Sequence, residues 1–186
     1  YRLLPEAVAR FYRAGRTVQL TIRAGAANAL LDQVRRGALD LVAADMGEAE
    51  HDPALRVHAL PEEGVAALVR PGHPALASAP PERFPLATAT PPDRLARQPL
   101  PWGGERPGLV CDDYTVLALA CAASDHILAA PHSVMDRLMA EHGLVPLPDA
   151  PSGLRLRPAL IYRANAPQST ARDHLFDCFE AAARRA

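Results

Sequence analysis

A chain of 186 residues, 49% hydrophobic and 22% charged with a formal net charge of −1, has the composition of a folded globular protein large enough for one sizeable domain or two small lobes. The near-zero charge offers no basic field to hold DNA by phosphate neutralisation, and no apolar run approaches the ~20 residues a membrane-spanning helix needs. All 20 basic residues are arginine, and the three cysteines (Cys111, Cys121, Cys178) show no close metal or redox spacing, which fits a reduced cytoplasmic protein rather than a disulfide scaffold.

Leu3, Leu4, Ala7, Val8, Phe11 and Tyr12 recur at helical spacing, with Gly15 as the stop. Thr17–Arg23 alternates, placing Val18, Leu20 and Ile22 on one side, and predicts a strand. A turn at Gly25-Ala26-Ala27-Asn28 leads into a short helix through Leu30, Leu31 and Val34 that ends at Gly37. With a strand over Leu39–Ala44, this unit reads most simply as a right-handed parallel crossover.

Arg56–Leu60 and Val65–Arg70 predict two further strands, and Arg70-Pro71-Gly72-His73-Pro74 stops regular structure. Prolines are dense from there to Pro107, with short strands expected near Pro85–Thr88 and Val110–Cys111. Thr115–Ala123 predicts a helix, Ile127–Ala130 a strand, and Ser133–His142 a helix capped by Ser133 and ended by Gly143. Leu144–Leu147 and Leu156–Arg163 read as extended, and Ser169 caps a last amphipathic helix through Leu175, Phe176, Phe179 and Ala182. The alternation of strands and helices means an α/β fold.

Several of these segments carry a resemblance. Leu3-Leu4-Pro5…Phe11, Val18-x-Leu20-x-Ile22-x-x-Gly25, Leu31-x-x-Val34-x-x-Gly37-x-Leu39-Asp40-Leu41, Leu68-Val69-x-x-x-His73-Pro74-x-x-Ala77, Leu119–Pro131 and Leu160-Ile161-Tyr162-Arg163 follow one another in the order found in LysR-type transcriptional regulators. Together they resemble that family's effector-binding domain. The resemblance implies a two-lobed, type II periplasmic-binding-protein-like fold with mixed sheets flanked by helices. Lobe I would comprise residues 1–70 and 157–186, and lobe II residues 71–156. It also implies an N-terminal winged helix-turn-helix upstream, in keeping with a chain that opens at Tyr1 without Met. The pattern departs at Ala26, where the family has Ser or Thr, at Ser124-Asp125-His126 in place of a glycine-x-glycine turn, and at Ala75-Leu76.

The expected effector-binding residues are Tyr1, Gly25, Ala26, Ala27, Asn28, Asp45, Met46, Asp113, Tyr114, Thr115 and Pro131. Loops at the carboxyl ends of strands gather helix N-termini, whose unpaired N–H groups suit an anion. Asn28 either caps its own helix or also faces the ligand. Asp45 is either a solvated loop acid or a partner for a donor group of the effector. Asp112 and Asp113 either complement a helix dipole, with Tyr114 or Thr115 turned to the ligand, or form a carboxylate pair for acid–base work or a divalent metal.

Cys111 and Cys121 read as small buried hydrophobes, and the histidines lack metal spacing, so no cofactor or metal is expected. The leading reading is a ligand-sensing regulatory domain that binds a small-molecule effector between its lobes and signals by conformational change. The resemblance implies that it would reach DNA only through the upstream domain and act as a homodimer or homotetramer, the first helix and strand of one subunit meeting the Thr115–Ala123 helix of another in an antiparallel pairing. The alternatives are a solute-binding protein of a transporter and, weakest, a cleft enzyme.

Overall fold

The computed structural model describes residues 3–15, 17–90, 102, 107–148 and 155–184, and these divide into two compact units. The first comprises Tyr1–Glu62 and Arg157–Ala186, the second Glu63–Leu156. Tyr1 and the proline-dense stretch 91–101 lie outside the described residues.

In the first unit, β9 (Pro158–Arg163) is the middle strand of three, flanked by β1 (Leu41–Asp45) and β2 (Leu55–Ala59). Both pairings are antiparallel, in register Leu41↔Tyr162 to Asp45↔Pro158 and Leu55↔Arg163 to Ala59↔Ala159. The period-two geometry of β9 sorts its side chains between two layers. Leu160 faces Ala7 and Phe11 of α1 (Leu3–Arg13) and Phe176 and Phe179 of α5 (Thr170–Ala183). Ala159 and Ile161 face Leu31 and Val34 of α2 (Ala27–Arg35). Ser169 caps α5 as expected, its Oγ accepting from Arg172 N at 3.2 Å.

The predicted strand Thr17–Arg23 is absent, and with it the parallel crossover. Residues 17–26 are in no sheet, and Val18 (42%) and Ile22 (53%) stand exposed. Alternation alone does not make a strand; a ladder partner is required, and no described strand supplies one. The segment is held instead by the Tyr12 hydroxyl, which donates to Val18 O (3.0 Å) and accepts from Leu20 N (3.2 Å).

The second unit is a mixed sheet in the order β5-β4-β6-β3-β7, with β8 also paired to β3. Its strands are β3 (Glu63–Val69), β4 (Leu86–Thr88), β5 (Pro107–Val110), β6 (Ile127–Pro131), β7 (Val145–Pro146) and β8 (Arg155–Leu156). β4 runs parallel to β5 and β6, whereas β3 is antiparallel to β6, β7 and β8. Because β3 makes all its pairings here, the first crossing between units falls at Glu62/Glu63 rather than after Arg70. Leu128 and Ala130 pack under α3 (Tyr114–Ala122) and α4 (His132–His142), while Ile127 and Ala129 pack with Trp102 on the other face.

Candidate functional site

In the first unit the turn after α2 decides which residues share an end. Gly37 (φ +74°) follows Arg36, Gly37 N bonds to Val34 O (3.0 Å) and Ala38 N to Gln33 O (2.8 Å), the paired bonds of a Schellman stop. This turn sends β1 back along α2, so the N-terminus of α2 and the C-terminal end of β1 lie at one end of the unit. Gly25, Ala26, Ala27 and Asn28 are thereby brought to the same end as Asp45 and Met46.

The N-terminus of α2 is open. Ala26 is its N-cap (φ −60°, ψ 137°), no side chain accepts from the first N–H groups, and its first turn holds no acid. Asn28 is therefore not the cap: it lies one residue inside the helix, exposed, where its side chain is past the cap position. Without a Ser or Thr at position 26, the partial positive charge of the helix end meets solvent.

Asp45 is neither a solvated acid nor an idle one. Its Oδ1 accepts from Gly47 N (3.0 Å), closing the short 3-10 turn Met46–Glu48, and its Oδ2 accepts from Arg157 N (2.9 Å). Met46 N in turn donates to Arg157 O at 2.9 Å, so Asp45 and Met46 brace the chain where it re-enters the first unit. The Arg157 guanidinium meets Glu50 at 2.8 Å, and that hydrogen bond raises its already high pKa further.

The second unit closes its helix N-termini with carboxylates. Asp113 caps α3, Oδ1 accepting from Thr115 N at 2.7 Å, while Asp113 N rests 3.4 Å from Cys111 Sγ. Asp113 is thus placed as the dipole-complementing reading has it, whereas Asp112 precedes the cap, outside the helix. Tyr114 packs half-buried against the core beneath α3, and Thr115 is exposed. Pro131 ends β6 opposite Val65 and stands at the N-cap of α4.

Ser133 does not cap α4; it is the second residue of the helix, and its N–H donates to Glu63 Oε2 at 3.0 Å. The cap is borrowed from β3, 70 residues away. Gly64 permits this close approach, since a Cβ there would stand 2.9 Å from His132 Cε1. Sequence reasoning missed Glu63 because the signal is negative: Pro131-His132 offers no capping side chain, which requires a remote acceptor.

Turn chemistry departs from the resemblance at Ser124-Asp125-His126 in a built way. Ser124 Oγ donates to Ala120 O (2.7 Å) and meets His126 Nδ1 at 2.8 Å, and Arg70 pairs with Asp125 at 2.7 Å. Gly108 passes so near that a Cβ would lie 2.6 Å from Pro85 Cβ and 3.0 Å from His126 Nε2. Cys121 is buried as expected, and burial pushes its thiol up to about 12.

A chain that builds one α/β unit from its two ends and a second from its middle has a periplasmic-binding-protein-like fold. A cysteine-to-serine mutant of the OxyR2 regulatory domain from Vibrio vulnificus shares this fold with a TM-score of 0.76 at 14% identity, over 97% of this chain and 89% of that one. The cofactor-binding domain of the Cbl transcriptional regulator matches at 0.78 with 19% identity, over 96% and 82%. In sequence, the chain is 31% identical over 181 residues to the SDS degradation transcriptional activation protein of a Pseudomonas species. The alignment covers 91% of this chain and 59% of that relative's length. The LysR substrate binding domain family matches residues 1–184. The chain belongs to that family, and it spans about three fifths of the length of the transcriptional activator it matches. Among the described residues no helix is long and apolar enough to cross a membrane.

Proposed function

We propose that this domain senses a small-molecule effector carrying an anionic or strong acceptor group, and that the open N-terminus of α2 receives that group. The carrying observation is the contrast at helix ends: α2 has no capping side chain, whereas α3 and α4 are closed by Asp113 and Glu63. Free N–H donors backed by a helix dipole favour a carboxylate or similar group. Ala26, Ala27 and Asn28 present those donors, Gly25 keeps the approach clear, and Asp45 and Met46 hold the neighbouring turn rather than the effector.

Effector binding shifts the equilibrium between conformations of the domain, and a DNA-binding domain elsewhere in the full-length cytoplasmic regulator reads that shift. The chemistry is binding and release. The family match does not favour a transporter's solute-binding protein, nor an enzyme. Self-association would use the exposed apolar faces: Tyr12, Val18 and Ile22 in the first unit, Val110, Val116 and Leu119 in the second. The test is a thermal-shift titration with a panel of small carboxylates and their neutral amides. A true effector adds about 2.7 kcal/mol of stability at 100 times its dissociation constant, and Ala26→Asp, which fills the helix end with a fixed carboxylate, abolishes the gain. Equal stabilisation by the amides, or indifference to Ala26→Asp, overturns the assignment.

A further inference from the structure

The other end of the first unit holds an arginine with no partner among the described residues. Arg163 ends β9 and is half-buried, yet its side chain makes no hydrogen bond and no ion pair with any described residue. Its guanidinium lies over the Schellman turn, where a Cβ on Gly37 would stand 3.1 Å from its Cζ and Nη1. Gly37 therefore serves two needs, the left-handed turn and the room for this group. The negative end of α2 favours a cation there, although among the described residues no hydrogen bond joins the guanidinium to it.

A groove of about 330 Å³ opens beside it, lined by Arg35, Pro53, Ala54, Arg163, Ala164 and Asn165. Its walls are fixed: Ala164 N donates to Ala54 O at 2.8 Å, and Asp52 accepts from Ala54 N and from Arg35 Nε, both at 2.9 Å. The two arginines differ. Arg35 is balanced by Asp52 and Asp32, whose Oδ1 stands 2.6 Å from Nη1. Arg163 has no carboxylate partner among the described residues. Asn165 sits exposed at the rim with an unused side-chain amide, and Pro53, Ala54 and Ala164 give the groove an apolar side.

We propose that this groove is a second ligand site, taking a small organic acid whose carboxylate pairs with Arg163 and whose short apolar body lies on Pro53, Ala54 and Ala164. A guanidinium presents parallel donors that match a carboxylate, and Asn165 adds another. The site is separate from the effector residues: Arg163 stands five residues along β9 from Pro158, the partner of Asp45, about 17 Å away.

The experiment is an amide NMR titration of the chain with sodium butanoate, sodium sulfate and butan-1-ol in parallel. Butanoate shifts the Ala54, Ala164 and Asn165 amides saturably; sulfate acts more weakly and butan-1-ol not at all. Arg163→Gln weakens butanoate binding by about tenfold or more, as loss of a charge-assisted pair does. Asn165→Asp places a carboxylate at the exposed rim and weakens it with the fold intact, so the result stands even if Arg163→Gln unfolds. Ala26→Asp, which blocks the effector end, leaves it unchanged. Absence of saturable shifts at Ala54, Ala164 and Asn165, persistence of those shifts in both groove variants, or equal shifts with sulfate overturns the proposal, whatever butanoate does at the α2 end.

Discussion

The two units treat the ends of their helices in opposite ways. In the second, Asp113 and Glu63 place carboxylates on the first N–H groups of α3 and α4. In the first, α2 starts after the N-cap Ala26 with no side-chain acceptor among the described residues. A capped helix end is a finished piece of scaffold, whereas an uncapped one retains donors and a partial positive charge that another molecule can use. The lesson is that the same feature, a helix N-terminus, is structural or functional according to whether the chain supplies its own anion.

The largest expected effect tests the brace beside the open end. Asp45→Ala frees Gly47 N and Arg157 N together and costs about 2 kcal/mol, the scale of two charge-assisted hydrogen bonds partly replaced by water, read by urea denaturation. Asp113→Ala and Glu63→Ala each remove a cap and cost about 1 kcal/mol. Either variant also gives the second unit an open helix end, so a new weak anion response there would sharpen the comparison. Ala26→Ser works in the other direction, adding a cap worth about 0.5–1 kcal/mol of stability while competing with the effector's anionic group. A stabilised protein with undiminished carboxylate response would break the comparison.

Two pH effects are smaller over the working range. Asp52 is held below the usual carboxylate range, first by the Ala54 N–H and then by Arg35. A carboxylate depressed in the folded state contributes stability above its unfolded pKa and loses it as pH falls through the folded one, so Asp52→Asn flattens the acid limb of a stability–pH curve. Cys121 has the opposite sign of pKa shift. Its thiol is neutral in the fold up to about 12 against an ordinary 9.0, so stability falls as pH rises between those values. In the native protein at pH 8, iodoacetamide should modify half-buried Cys111 well before Cys121.

Much of this was legible in the chain itself. The sequence pattern located α1 to α5 and the strands β1 to β7 to within a few residues, because each buries one regular face, but it read β8 and β9, which belong to different units, as a single extended run Leu156–Arg163. Gly37 and Ser169 announced a helix stop and a helix cap through local chemistry. The order of short motifs identified the family. The failures share one cause. Thr17–Arg23 alternates like a strand but has no described ladder partner, and the Ser133 position mimics a cap that Glu63 provides.

What the sequence determined by itself was local: which residues turn, cap and alternate, since these depend on neighbours a few positions away. Only the tertiary structure decided that β9 pairs antiparallel with β1 and β2, that Asp45 is spent on the backbone of Arg157, and that Arg163 lies over Gly37 with no partner among the described residues. Each of those depends on hydrogen bonds and charges brought together across many residues, and no local pattern encodes the partner that is absent.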